Sequence, residues 1–186
     1  MSDHEQLDVL VFEDTKGQAG EIIEELGLQP TEDDDVDLFT GPGLAGDRPV
    51  FARRHRASVQ PAVLQRIEEA DPKVVVFDYL LSGPSGSEPV DGLELGIVCK
   101  KKWPHIGVIL VTTGGEGDLT GTVGSQAELD RQKRDHDWPI DYAWIKPWSA
   151  AGQKDVKRGV RLPDWSQCAG RLIENSQRPS EHSDET

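Results

Sequence analysis

Apolar runs and helical patterns alternate along this chain. "LDVLVF" (Leu7 to Phe12) predicts a strand, and Ala19, Ile22, Ile23 and Leu26 then take the i, i+3, i+4, i+7 spacing of an amphipathic helix. Gly27 stands where such a helix should stop. "VDLFT" (Val36 to Thr40) predicts a shorter strand behind an acidic lead-in, and Val59, Val63, Ile67 and Ala70 mark a second helix that ends before Pro72. "VVVFD" (Val74 to Asp78) is the third strand and the most apolar. Leu95, Val98 and Cys99 place a third helix from about Asp91 to Lys102. "GVILVTT" (Gly107 to Thr113) is the fourth strand, and a more polar helix falls within Ser125 to Arg134. "DYAWIK" (Asp141 to Lys146) is the fifth strand. Trp165, Cys168, Ala169, Leu172 and Ile173 give the last helix an apolar stripe.

Strands alternating with helices in this way predict an α/β fold, a doubly wound five-stranded parallel sheet covered on both faces. Near-continuous apolar strands agree with burial on both sides. Sheets of this kind place ligands at the carboxyl ends of their strands, so the residues just past each apolar run carry the most weight. Stretches rich in Gly, Pro or charge, near 41–56, 83–90, 114–139 and 149–161, read as additions to a single domain spanning about 5–175. Residues 176–186 have no apolar anchor and read as a disordered tail.

Composition narrows the function classes. The 186 residues allow one domain with a proper core, and the 35% apolar content agrees with part of the chain being solvated loop. The formal charge is -14, with 34 acidic residues against 20 basic ones. Such a surface repels phosphate backbones and anionic lipids, which argues against nucleic acid or membrane partners. No apolar run reaches the length of a membrane span, and "MSDHEQ" carries no signal-peptide pattern, so a cytoplasmic protein is expected. Cys99 and Cys168 fit no metal or redox spacing and read as small core side chains. None of the five histidines has metal-ligand spacing or falls at a strand end.

The strand ends hold the chemistry. Glu13 and Asp14 follow the first strand, Asp78 closes the third, Thr112 the fourth and Lys146 the fifth. Each has an ordinary reading on its own: acids opening a helix, a turn-forming aspartate, a β-branched strand residue, a solvated lysine. Together they put three carboxylates, a hydroxyl and an ammonium on one edge of the sheet. Clustered carboxylates call for a hard cation such as Mg²⁺. A carboxylate in that setting can attack a phosphoryl group, with a cation and a lysine neutralising the equatorial oxygens.

In order along the chain, "VLVFED", "VVVFDYLLSG", "DGLEL", "VILVTT" and "WIKPW" resemble the signature blocks of two-component response-regulator receiver domains, from about Leu7 to Leu172. The resemblance implies the flavodoxin-like strand order 2-1-3-4-5. It makes Asp78 the phosphoacceptor, fed by a histidine kinase or a histidine phosphotransfer protein. Asp14 would ligate Mg²⁺ directly, with Glu13 acting mostly through water and the backbone carbonyl of Leu80 as a further ligand. Lys146 would contact the phosphoryl group, Thr112 would be the switch hydroxyl, and Pro147 matches a lysine-proline pair whose peptide bond is often cis. Output would come through a downstream protein partner or self-association, with a homodimer through the last strands and helices left open. No independent substrate turnover is implied.

The sequence also departs from that family. Ser82 stands where a proline is usual, Thr113 replaces a small residue, and Ala143 occupies a position that often holds a switch aromatic. The second reading is therefore a phosphorylation-independent module on the same fold. A Mg²⁺-dependent aspartyl phosphatase is a third, disfavoured because Leu80 stands where such enzymes carry a second acid. The glycine-rich run from Gly114 to Ser125 lacks a P-loop lysine and reads as a flexible loop. "RRHR" (Arg53 to Arg56) reads as a solvated helix start rather than a grip on an acidic partner. Trp148 and Trp165 are expected under the last helix, and Trp103 and Trp138 in loops as partner contacts.

Overall fold

The computed structural model describes residues 9–13, 16–28, 56–81, 90–113, 125–146 and 164–176. In chain order the elements are β1 (Val9–Phe12), α1 (Lys16–Glu25), α2 (Arg56–Ala70), β2 (Val74–Asp78), β3 (Leu80–Leu81) and β4 (Val90–Asp91). They continue with α3 (Gly92–Lys102), β5 (Gly107–Thr112), α4 (Gln126–Asp135), β6 (Tyr142–Ile145) and α5 (Trp165–Ser176). The expected strand at Val36–Thr40, Asp14, Pro147, Trp148 and most of the expected additions lie outside the described residues.

β1, β2, β5 and β6 form a parallel sheet in that order, with Val9 opposite Val74, Val74 opposite Gly107 and Ile109 opposite Tyr142. These are the first, third, fourth and fifth strands expected from the sequence, in the expected order. Successive side chains of a strand point to opposite faces, and the two cores follow from that rule. Leu10, Phe12, Val75, Phe77, Val108 and Leu110 turn to one face, under Val63 and Ile67 of α2, Leu95 and Cys99 of α3 and Leu129 of α4. Val11, Val74, Val76, Ile109, Val111 and Trp144 turn to the other, under Ile22, Ile23 and Leu26 of α1 and Trp165 and Ala169 of α5. Helices thus cover both faces, as the unbroken apolar strands require.

Local signals set the helix ends. Asp91 caps α3, its side chain accepting from Leu93 N–H at 2.8 Å and Glu94 N–H at 3.2 Å, and three lysines in the last turn suit the helix dipole. Ser125 caps α4 by accepting from Glu128 N–H at 3.3 Å. Gly27, at φ +69, ends α1 in a backbone region that L side chains rarely adopt.

Two findings differ from what the sequence predicts. Leu80–Leu81 pairs antiparallel with Val90–Asp91, a short two-stranded ribbon that the sequence does not predict. Trp138 lies in the loop between α4 and β6, as expected, but is buried in the same core cluster as Ile140 and Leu129, which corrects its expected role as a partner contact. Trp103 is half-buried and packs against that core, with the Lys102 ammonium 4.4 Å above its ring. Trp165 stacks on Trp144 with ring centroids 4.7 Å apart. Cys99 is buried and Cys168 partly so, as expected.

Candidate functional site

Parallel pairing aligns the carboxyl ends of the strands. Asp78 is the last residue of β2, opposite Val111, and Thr112 ends β5 opposite Ile145. One step beyond the paired residues stand Glu13, after Phe12, and Lys146, after Ile145. The Lys146 backbone N–H donates to the Thr112 carbonyl at 2.8 Å, so the β5–β6 ladder continues to the lysine and fixes its origin. All four are buried: Glu13 is 0% exposed, Thr112 1%, Lys146 2% and Asp78 7%.

The lysine joins the acids. Its Nζ lies 2.7 Å from Glu13 Oε2 and 2.8 Å from Asp78 Oδ1, and it donates to Gln18 Oε1 in the first turn of α1 at 2.7 Å. An ammonium has three N–H donors, and these are three acceptors. Burial alone would lower the Lys146 pKa, but Asp78 and then Glu13 outweigh it and hold the ammonium above its ordinary value. Among the described residues, this cation faces two carboxylates.

Glycine brings the next helix onto this strand end. A Cβ on Gly92, the first residue of α3, would lie 1.9 Å from the Asp78 carbonyl oxygen, and the Gly92 N–H donates to the Tyr79 carbonyl at 2.8 Å. Tyr79 N–H in turn donates to Val111 O at 2.8 Å. The chain just past Asp78 is therefore held from two sides. Leu80 lies in the ribbon opposite Asp91.

Among the expected site residues, Glu13, Asp78, Thr112 and Lys146 are brought to one strand-end layer. Asp14 is outside the described residues. Among the described residues no cluster of three His, Cys, Asp or Glu side chains could hold a metal. The donor chemistry still suits Mg²⁺: two carboxylates and a nearby main chain offer hard oxygen ligands only.

Sequence reasoning does not reach two amides of this region. Gln18 is one. The other is Gln126, whose Nε2 donates to Ala143 O at 2.7 Å while its Oε1 accepts from Ile145 N–H at 2.9 Å. This ties the start of α4 to β6 on either side of Trp144. Neutral amides in polar surroundings leave no periodic or charge signal, and only the fold shows what they reach.

No family model and no curated protein matches the chain. Among solved structures it is similar to the receiver domain of NtrX from Brucella abortus, 18% identical over 90% of this chain and 98% of that one, with a TM-score of 0.47. A response-regulator receiver domain protein from Clostridium thermocellum is 17% identical over 90% and 94%, with a TM-score of 0.44. The isolated REC domain of RcsB from Salmonella enterica serovar Typhimurium, in the presence of phosphomimetic BeF3-, is 14% identical over 88% and 99%, with a TM-score of 0.43. At these identities and scores the likeness lies in the path of the chain alone.

Proposed function

We propose that this protein is a signalling receiver that takes a phosphoryl group on Asp78. The observation that carries the reading is the buried Asp78–Lys146–Glu13 cluster, with Nζ 2.8 Å from the Asp78 carboxylate, at the carboxyl ends of a parallel sheet. An Asp78 carboxylate oxygen attacks phosphorus and forms a mixed anhydride. The donor's P–N bond breaks, its electron pair stays on the leaving nitrogen, and that nitrogen takes up a proton from water. Lys146 keeps its ammonium against the phosphoryl oxygens, while Glu13 holds the lysine in place. Thr112, at the end of the neighbouring strand, supplies the hydroxyl that donates to one of those oxygens in this reading.

Asp78, Glu13, Asp14 and the Leu80 carbonyl are the groups that would hold Mg²⁺. A bound Mg²⁺ would offset the carboxylate charge and screen the incoming phosphoryl dianion. The phosphodonor partner is then a histidine kinase or histidine phosphotransfer protein, and the output a changed affinity for a downstream protein. Turnover of a separate substrate is not part of this function.

Intact mass tests the reading. Phosphoramidate with Mg²⁺ should add one phosphoryl group to the wild type and none to Asp78→Asn or to wild type with EDTA. An unmodified wild type, under conditions that modify a control receiver, would refute it. One observation favours a phosphorylation-independent module instead: Ala143 carries no switch ring, and the Gln126 amide already fixes α4 to that strand. Partner affinities identical with and without the adduct would support that module.

A further inference from the structure

We propose that Gln18 is a positioning residue of the site, the neutral third anchor that holds the Lys146 ammonium in place while Asp78 changes its chemistry. This rests on the receiver reading above.

Glu13 Oε2 at 2.7 Å, Gln18 Oε1 at 2.7 Å and Asp78 Oδ1 at 2.8 Å take up the three donors of Lys146. When Asp78 attacks phosphorus, the bond from Lys146 to that carboxylate has to give way to one with a phosphoryl oxygen. The other two bonds then decide whether the ammonium stays. Glu13, just past β1, and Gln18 on α1 lie 5 positions apart in the sequence and approach the lysine from a strand end and a helix start. Two anchors from two elements fix the Nζ position, so only the third donor turns from one oxygen to another. That is preorganisation, and it saves the cost of relocating a buried cation during transfer.

Its neutrality matters as much as its reach. Among the described residues the buried cluster already holds two carboxylates for one ammonium. A third would add negative charge where a phosphoryl dianion must arrive, whereas an amide oxygen accepts the hydrogen bond with no net charge.

The experiment uses the full chain. In ¹⁵N-labelled wild type, the Lys146 ammonium protons should exchange slowly enough to be seen by NMR. Gln18→Met matches the side chain in length but lacks the amide oxygen, and it should lose that resonance. Gln18→Glu keeps an acceptor and should retain it. The rate of adduct formation with phosphoramidate and Mg²⁺, read by intact mass, should fall about tenfold in Gln18→Met, in line with one lost hydrogen bond to a charged group. Gln18→Ala, too short to reach, should repeat the Met result and serves if the Met protein melts early.

A Gln18→Met protein that keeps both the resonance and the rate would make Gln18 a bystander. Loss of the resonance with an unchanged rate would leave an anchor with no part in transfer, and the positioning role would fall. A wild type that takes up no phosphoryl group refutes the function assigned to Asp78, a distinct result, since the ammonium resonance reports on the anchor without any phosphodonor.

Discussion

Two lysines pair with carboxylates at opposite ends of the same sheet, and they differ in what surrounds them. At the amino ends, Lys100 Nζ of α3 lies 2.8 Å from Asp141 Oδ2 and also donates to Ile106 O at 2.8 Å. Asp141 accepts from the Val108 N–H at 2.8 Å, and both side chains keep partial access to water. One positive charge meets one negative charge, and the rest of the pair is satisfied by backbone. At the carboxyl ends Lys146 is sealed from solvent and faces two acids. The first arrangement is a tie between a helix, a loop and two strand starts. Among the described residues the second sets two carboxylates around one cation, and desolvated ions repay their cost only when compensated. Two buried acids around one buried cation at the strand ends set the proposed site apart from the brace.

The comparison breaks hardest at Lys146. Lys146→Met should remove roughly 3–5 kcal/mol of stability at pH 7 by leaving two carboxylates facing each other without this cation. Their pKa values would rise in the folded variant, so the deficit should shrink as pH falls and the acids are protonated. Urea melts at several pH values check this, and a deficit that does not ease in acid would mean packing rather than charge is lost.

A subtler contrast lies in the sign of two matched changes. Asp78→Asn should stabilise the fold by about 1 kcal/mol, because the remaining Lys146–Glu13 pair is neutral and the amide still offers an acceptor. Asp141→Asn should destabilise it by about 1 kcal/mol, since there the charge is balanced and bonded to backbone. Chemical denaturation of the two variants side by side measures both. Equal signs would erase the distinction between site and brace.

The smallest effect is expected at Cys99, on α3 one residue before Lys100. Burial first of all pushes its thiol up to about 12, with Lys100 opposing in part. The folded value lies above the ordinary 9.0 of the unfolded chain, so this thiol's contribution is fully present below about pH 9 and is lost as pH rises toward 12. Native protein at pH 8 should therefore show Cys99 silent to thiol reagents until denaturant is added. Rapid native labelling of Cys99, seen by peptide mapping, would contradict its burial.

Much of this architecture is legible in the sequence itself. The apolar runs locate four strands of the described sheet to within a few residues because buried parallel strands leave unbroken signals. Asp78 and Lys146 stand out because a charge ending such a run needs a reason. The ribbon of Leu80–Leu81 with Val90–Asp91 is not legible, since two-residue strands are too short for any period. Trp138 is in a loop, as its polar sequence neighbours suggest, but its burial in the core cluster that includes Leu129 is not legible from them. Gln18 and Gln126 escape notice because a neutral amide declares its role only through what it touches. The direct contact of Glu13 with Lys146 is likewise visible only in the fold.

That second amide has a consequence for the whole molecule. β6 is the outermost strand of the described sheet, and a border strand normally offers bare carbonyls and N–H groups that another polypeptide can zip onto. Gln126 occupies the Ala143 carbonyl and the Ile145 N–H with one side chain, imitating a single link of a further strand. With those two groups taken, that link of the border is closed to a neighbouring chain.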